Sequence, residues 1–230
     1  MNNTTDLPQQ NNKGQLTGVL LEKANATFEV EGEKFYEGKI AVERLSEAVD
    51  ILPFTISEKL VKAYSLALEK GCKVSFGGEF RSYNRVIDGK SRLILSFFVK
   101  EVLPESEDDN DNVNAISLTG YVCKQPNYRT TPFNRQICDV LIAVNRSNFN
   151  KSDYIPCILW GRNAKLMQNQ KVGAKVVIDG RIQSRIYRKE TSPGLFEEKT
   201  AYEVSCQNLT LCDSVSNYQA DDNSSQDASA

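Results

Sequence analysis

The sequence predicts an all-β chain with short helices, built as two tandem copies of one five-stranded barrel. Three observations carry this. Segments recur at a constant offset, each copy alternates with the period of a strand, and each holds one short helical stretch at the same place.

The repeat is settled first, because it decides the architecture. Leu16-Thr17-Gly18 recurs as Leu118-Thr119-Gly120, and Ile40-Ala41-Val42-Glu43-Arg44 as Ile142-Ala143-Val144-Asn145-Arg146. Gly71-Cys72-Lys73-Val74 recurs as Gly173-Ala174-Lys175-Val176, and Gly78 with Ser82 as Gly180 with Ser184. All these matches share an offset of 102 residues; Ile51-Leu52-Pro53 matches Tyr154-Ile155-Pro156 at 103, one residue having been inserted. Chance produces short matches, but not a common offset kept in order.

Each copy then reads alike. A first strand covers residues 15–23 or 115–124, and a second covers 38–44 or 137–146. In the latter, Cys138, Val140, Ile142 and Val144 share one face, and Asp139, Leu141, Ala143 and Asn145 the other. The third strand is 50–57 or 153–160. A helical stretch follows. In copy one Ser57 is placed to cap it, and Leu60, Val61, Tyr64, Leu66 and Leu68 form its apolar stripe before Gly71. In copy two it runs from Asn163 to Asn169. A long fourth strand begins at Gly71 or Gly173, and a hairpin leads to a fifth, 92–102 or 198–211. The turn is Asp88-Gly89 in copy one, a strong hairpin signal, and a longer loop through Ser192-Pro193-Gly194 in copy two. Five strands with a helix between the third and fourth is the order of an OB-fold, a partly open barrel that binds oligonucleotides across strands two and three.

The domains expected are a disordered arm (1–13), a first OB-fold (14–104), an acidic linker (105–113), a second OB-fold (114–213) and a disordered tail (214–230).

Composition narrows the chemistry. The chain has no histidine, which removes the usual acid–base catalyst and the commonest metal ligand. None of the six cysteines forms a Cys-x-x-Cys pair, so they read as small buried hydrophobes in a reducing compartment. No apolar run approaches the roughly 18 residues of a membrane span, and the N-terminus shows no export signal. A cytoplasmic, nucleoid-associated protein without enzymatic activity, cofactor or metal is expected. The net charge is −2, but it is unevenly spread. Residues 13–104 carry 14 bases and 13 acids, residues 105–114 five acids and no base, and residues 115–213 carry 14 bases and 8 acids. The second copy is distinctly cationic.

Candidate site residues lie in that copy. Along Asp153–Gly161, alternation sends Ile155, Cys157 and Leu159 to the core and leaves Tyr154, Pro156, Ile158 and Trp160 outside. In the fourth strand Val176, Ile178, Gly180, Ile182 and Ile186 share one side, and Lys175, Arg181, Arg185 and Tyr187 lie on the other. Exposed rings beside cations suit an unpaired polyanion whose bases can stack. Packing of Tyr154 and Trp160 under a loop or against a second subunit is the competing use of the same rings.

The segments 118–120, 142–146, 153–161 and 180–187, in this order and spacing, resemble bacterial single-stranded-DNA-binding proteins over about residues 114–213; the first copy looks like a diverged relative. The resemblance implies sequence-independent binding of single-stranded DNA in replication, repair or recombination. It places stacking at Tyr154, Trp160 and Tyr187, and at Phe149. The cations Arg146, Lys151, Arg162, Arg188 and Lys189 are candidate backbone contacts, with ordinary solvated surface charge as the competing use of each. It also implies a four-barrel assembly, which a homodimer of this chain would supply. The family's acidic tail ends in a Pro–Phe-like tip. This chain ends Asp227-Ala-Ser-Ala230, so tail-mediated recruitment of replication enzymes is not expected.

In copy one, Ser57 replaces Trp160, Ile51 replaces Tyr154 and Glu79 replaces Arg181, while Tyr83, Arg81, Arg85 and Lys73 remain. The expectation is that copy one binds single strands weakly and serves mainly in assembly; binding through Tyr83, Arg81 and the hairpin 83–92 is the alternative. Two other readings stay open. One is an OB-fold protein-interaction module, primosome-like, with little DNA affinity. The other is RNA binding, since stacking neither needs nor excludes a 2′-hydroxyl.

Overall fold

The computed structural model describes residues 11–87, 89–104, 112–146, 150–192 and 194–212. Copy one runs β1 (Asn12–Leu20), β2 (Asn25–Val30), β3 (Glu33–Glu43), β4 (Val49–Ser57), α1 (Glu58–Ala63), β5 (Lys73–Ile87) and β6 (Lys90–Val102). Copy two repeats it as β7 (Asn114–Val122), β8 (Asn127–Thr130), β9 (Gln136–Asn145), β10 (Ser152–Trp160), α2 (Gly161–Met167), β11 (Lys175–Ser192) and β12 (Leu195–Cys212).

Both copies are OB barrels with one topology. The order β2-β3-β4-β6-β5-β1 closes by β1 on β3, and β8-β9-β10-β12-β11-β7 closes by β7 on β9. The parallel contacts β4–β6 and β10–β12 complete each wall. Two glycine pairs of the repeat explain this closure. A Cβ on Gly18 would lie 2.1 Å from the Ala41 carbonyl oxygen, and one on Gly120 2.6 Å from that of Ala143. These are the points where the first strand crosses onto the second. Gly78 and Gly180 sit at matching β-bulges, a Cβ there being 2.2 and 2.1 Å from the carbonyls of Phe98 and Ser205. Only glycine lets the backbones approach this closely.

The alternation holds where strands line the core. Cys138, Val140, Ile142, Val144, Ile155, Cys157, Leu159, Val176, Ile178 and Ile182 are buried. Ile186 departs from its side of the pattern and is 69% exposed, because β11 and β12 outrun the barrel as a hairpin arm paired as far as Ser192–Leu195. The expected long loop is therefore strand nearly to its tip. Helix α1 is shorter than expected and buries no residue, while α2 keeps the expected length but lies two residues earlier in the chain. Tyr64 is exposed and Leu68 reaches the core from beyond the helix. Strands β2 and β8 were not anticipated. The turn Glu31-Gly32 has positive φ at both residues, the geometry of a two-residue hairpin. Asn12 is buried in β1, so the first strand starts three residues earlier than the expected residue 15. The remainder of the expected arm, residues 105–111 of the expected linker, Asp88, Pro193, residue 213 and the expected tail 214–230 lie outside the described residues.

The barrels join into one sheet through antiparallel β1–β7 pairing, in which Gly14 faces Ile116, Asn12 faces Leu118 and Leu16 faces Asn114. The repeat offset maps this register onto itself, so the copies are related by a pseudo-twofold axis at Gly14/Ile116. Side-chain bonds obey the same symmetry. Asn12 exchanges two hydrogen bonds with the backbone of Phe80 (2.7 and 3.0 Å), as Asn114 does with Ile182 (2.7 and 2.8 Å). Asp50, wholly buried, accepts from Arg44 of its own copy and from the Ser184 N–H (2.9 Å) of the other. Asp153 accepts from Arg146 and from the Ser82 N–H (2.7 Å). The serine hydroxyls reciprocate, accepting from the N–H groups of Ile51 and Tyr154. The recurring Arg and Ser are thus the fastening of one barrel to the other.

Candidate nucleic-acid interface

Strand β10 presents its outer face as alternation requires: Tyr154 is 47% and Trp160 38% exposed. Pro156 between them is half-buried and Ile158 is buried. Trp160 stands at the N-cap of α2 without a capping side-chain bond. Ser57 at the equivalent place in copy one caps α1, its hydroxyl accepting from the Leu60 N–H (3.4 Å). Serine serves the helix; tryptophan leaves the helix uncapped and puts an indole on the surface.

The β11–β12 arm carries the rest. Tyr187 is 37% exposed, with the Arg185 guanidinium 5.8 Å from its ring centroid, close enough for a cation–π contact. Arg185 reaches Glu203 and Arg188 reaches Glu198, both at 3.5 Å. Lys151, Arg162, Lys175 and Lys189 make no ion pair among the described residues, and all but half-buried Lys175 are exposed. Phe149 lies outside the described residues.

Two expected phosphate ligands have another use. Arg146 donates to both Asp153 oxygens (2.9 and 2.6 Å) and to the Ser82 carbonyl (3.0 Å). Arg181 donates to Asp50 (3.0 Å) and Gln183 (3.2 Å). Both guanidinium groups are committed to the seam between barrels, because a buried carboxylate in each half demands a partner.

In copy one the retained residues are compensated by acids. Tyr83 donates to Glu37 (3.0 Å), Arg85 donates to Glu37 (2.9 Å) and to the Tyr83 hydroxyl (3.1 Å), and Arg81 pairs with Glu79. Burial, then the Glu37 charge, pushes the Tyr83 phenol up to about 12. Lys73 is half-buried and engaged within the chain. Relative to copy two the ring and cation have changed places: Tyr83 matches Arg185, and Arg85 matches Tyr187. A further group went unnoticed in the sequence. Phe28, Phe35 and Phe98 form a row, with centroids 5.1 Å apart and nearly parallel for the first pair, and 5.9 Å and tilted for the second. Phe98 hid in the run Ser96-Phe97-Phe98-Val99, which reads as core; the Glu31-Gly32 turn was the signal that brings Phe28 opposite Phe35.

The fold and this surface define a tandem OB-fold chain whose second barrel exposes rings and cations together. Comparison with known proteins agrees. The model of the single-strand binding protein family matches residues 113–212. Single-stranded DNA-binding protein 3 of Streptococcus agalactiae serotype V is 34% identical over 113 residues, which are 46% of this chain and 79% of that protein. Single-stranded DNA-binding protein A of Bacillus subtilis is 33% identical over 90 residues, 36% of this chain and 52% of that one. The wild-type single-stranded DNA binding protein from Thermus aquaticus shares the fold over 88% of this chain and 93% of its own, with a TM-score of 0.64 and 16% identity. The chain belongs to the single-strand binding protein family.

Proposed function

We propose that this chain binds single-stranded DNA without reading its sequence, serving replication, repair or recombination. The second barrel does most of the binding. Tyr154, Trp160 and Tyr187 stack bases, and Lys151, Arg162, Lys175, Arg185 and Arg188 hold phosphates. The observation that carries this is the exposure of three aromatic rings on a barrel whose core is already filled. Water-facing rings are worth about 1–3 kcal/mol per stacked base, and the neighbouring cations supply a salt-dependent, sequence-independent attraction.

The domain scheme follows the two barrels, with residues 105–113 as the linker between them. A homodimer, bringing four barrels together, and a cytoplasmic location are further parts of this reading. They rest on the family likeness.

Trp160 is the only tryptophan, so its fluorescence reports on the site directly. Oligo-dT should quench it, and the quenching should weaken steeply with added salt. Trp160→Ala and Tyr154→Ala, followed by gel shift, should each lower affinity about 5- to 150-fold, the equivalent of one stacked base. An unchanged Trp160 signal together with unchanged gel shifts in both variants would overturn the proposal. RNA of equal length as competitor tests the choice of polymer.

A further inference from the structure

We propose that the first barrel carries its own base-stacking site for single-stranded nucleic acid, built from Phe28, Phe35 and Phe98 and flanked by Arg81 and Lys100. This rests on the single-strand binding proposed above and extends it to the copy whose Trp and Tyr equivalents are missing.

The ladder register carries the inference. In copy two, Trp160 on β10 stands opposite Ile137 on β9. In copy one the equivalent pair is Ser57 on β4 opposite Phe35 on β3. The ring is absent from one strand and present on its direct cross-strand neighbour, where side chains on one face lie about 5 Å apart. The platform has moved one strand over and kept its place on the barrel's outer side. Phe28 extends it on β2, where it stacks on Phe35 and is 37% exposed. Phe98 extends it on β6. Its neighbours Phe97 and Val99 are buried in the core, so Phe98 points outward and is not needed to fill the barrel.

Cations accompany this row as they do in copy two. The Arg81 guanidinium lies 4.4 Å from the Phe98 centroid and the Lys100 ammonium 5.2 Å. Arg81 is paired with Glu79, but Lys100 makes no ion pair among the described residues. Its ammonium is held below the ordinary lysine value, first by burial, then by Arg81, against the pull of Glu79, and by Arg146. A cation crowded by burial and by two guanidinium groups gains from an incoming anion. Rings beside an undercompensated positive charge fit a polyanion with π-faces better than they fit a second apolar surface.

The test uses the unmodified full chain and an oligo-dT strand long enough to span both barrels, with 5-iodouracil at intervals. After irradiation, peptides cross-linked at Phe28, Phe35 or Phe98 are expected beside those at Tyr154, Trp160 or Tyr187. Cross-links confined to the second barrel would overturn this proposal and leave the function proposed above standing; cross-links at neither barrel would sink both. Phe28→Ala and Lys100→Glu change exposed side chains, so folding is not at stake. Each should weaken the long strand about 5- to 100-fold while leaving Trp160 quenching by a short one unchanged. If Phe28→Ala instead lowers the sedimenting mass and leaves long-strand affinity intact, the row is a contact between chains and the proposal is wrong.

Discussion

Replacing Asp50 with alanine tests the seam between the barrels. This carboxylate is completely buried and accepts four hydrogen bonds: two from Arg44 (2.6 and 2.5 Å), one from Arg181 (3.0 Å) and one from the Ser184 N–H (2.9 Å). Removing it leaves two guanidinium groups facing each other and an N–H without its acceptor. Arg181 already feels this, since burial and the nearby Arg44 charge lower its pKa while Asp50 opposes them. Breaking a buried pair costs about 3–5 kcal/mol. Both arginines keep about a quarter of their side-chain surface in water, so the low end, about 3 kcal/mol, is expected here. For a chain of this size that corresponds to a Tm lowered by about 6–12 °C. Urea unfolding of the full chain measures it. A double-mutant cycle with Arg181→Ala should return a coupling of at least about 1 kcal/mol, because the second substitution removes the charge that the first left unpaired. A loss below about 1 kcal/mol, or strict additivity, would refute the assignment of Asp50 and Arg181 to a shared fastening.

Other consequences are equally measurable. Burial raises the thiols of Cys138 and Cys206 to about 11 and also pushes that of Cys157 well up; since the thiolate is the reactive form, a disulfide reagent at pH 8 should label these three only as the chain unfolds. Cys72 and Cys212, less buried, should react first. Tyr83, raised to about 12, should ionise as a late step in an ultraviolet titration. Its bond to Glu37 contributes fully below pH 10, the ordinary phenol value, and is lost as pH climbs through about 12; Tyr83→Phe should remove that step. Gly180→Val places a Cβ against the Ser205 carbonyl at the bulge and should cost about 3 kcal/mol or more, read as a lower urea midpoint. An unchanged midpoint would show that the bulge relaxes freely.

The recurrence at 102 residues, the period-two alternation and the glycine positions made the two barrels legible in advance. Those signals are written locally or in a simple copy relation, and core burial obeys them: Cys138, Val140, Ile142 and Val144 all point inward. Tyr154 and Trp160 could be placed outside for the same reason. Strand pairing beyond the barrel, the length of the β11–β12 arm and the edge strands β2 and β8 depend on hydrogen-bond partners, and alternation says nothing about those.

Sequence by itself determined that there are two copies of one barrel, which faces are apolar, and where the second copy carries rings and positive charge. Only the tertiary structure decided what Arg146 and Arg181 do. Their carboxylate or carbonyl partners on the opposite barrel, Asp50 and the backbone of Ser82, are 131 and 64 residues away in the chain. It also decided that Phe35 stands opposite Ser57, since a cross-strand neighbour becomes a neighbour only when the ladder forms. A side chain's charge and size can be read from one letter. Whether that charge meets a buried acid or open water depends on what the fold brings opposite it.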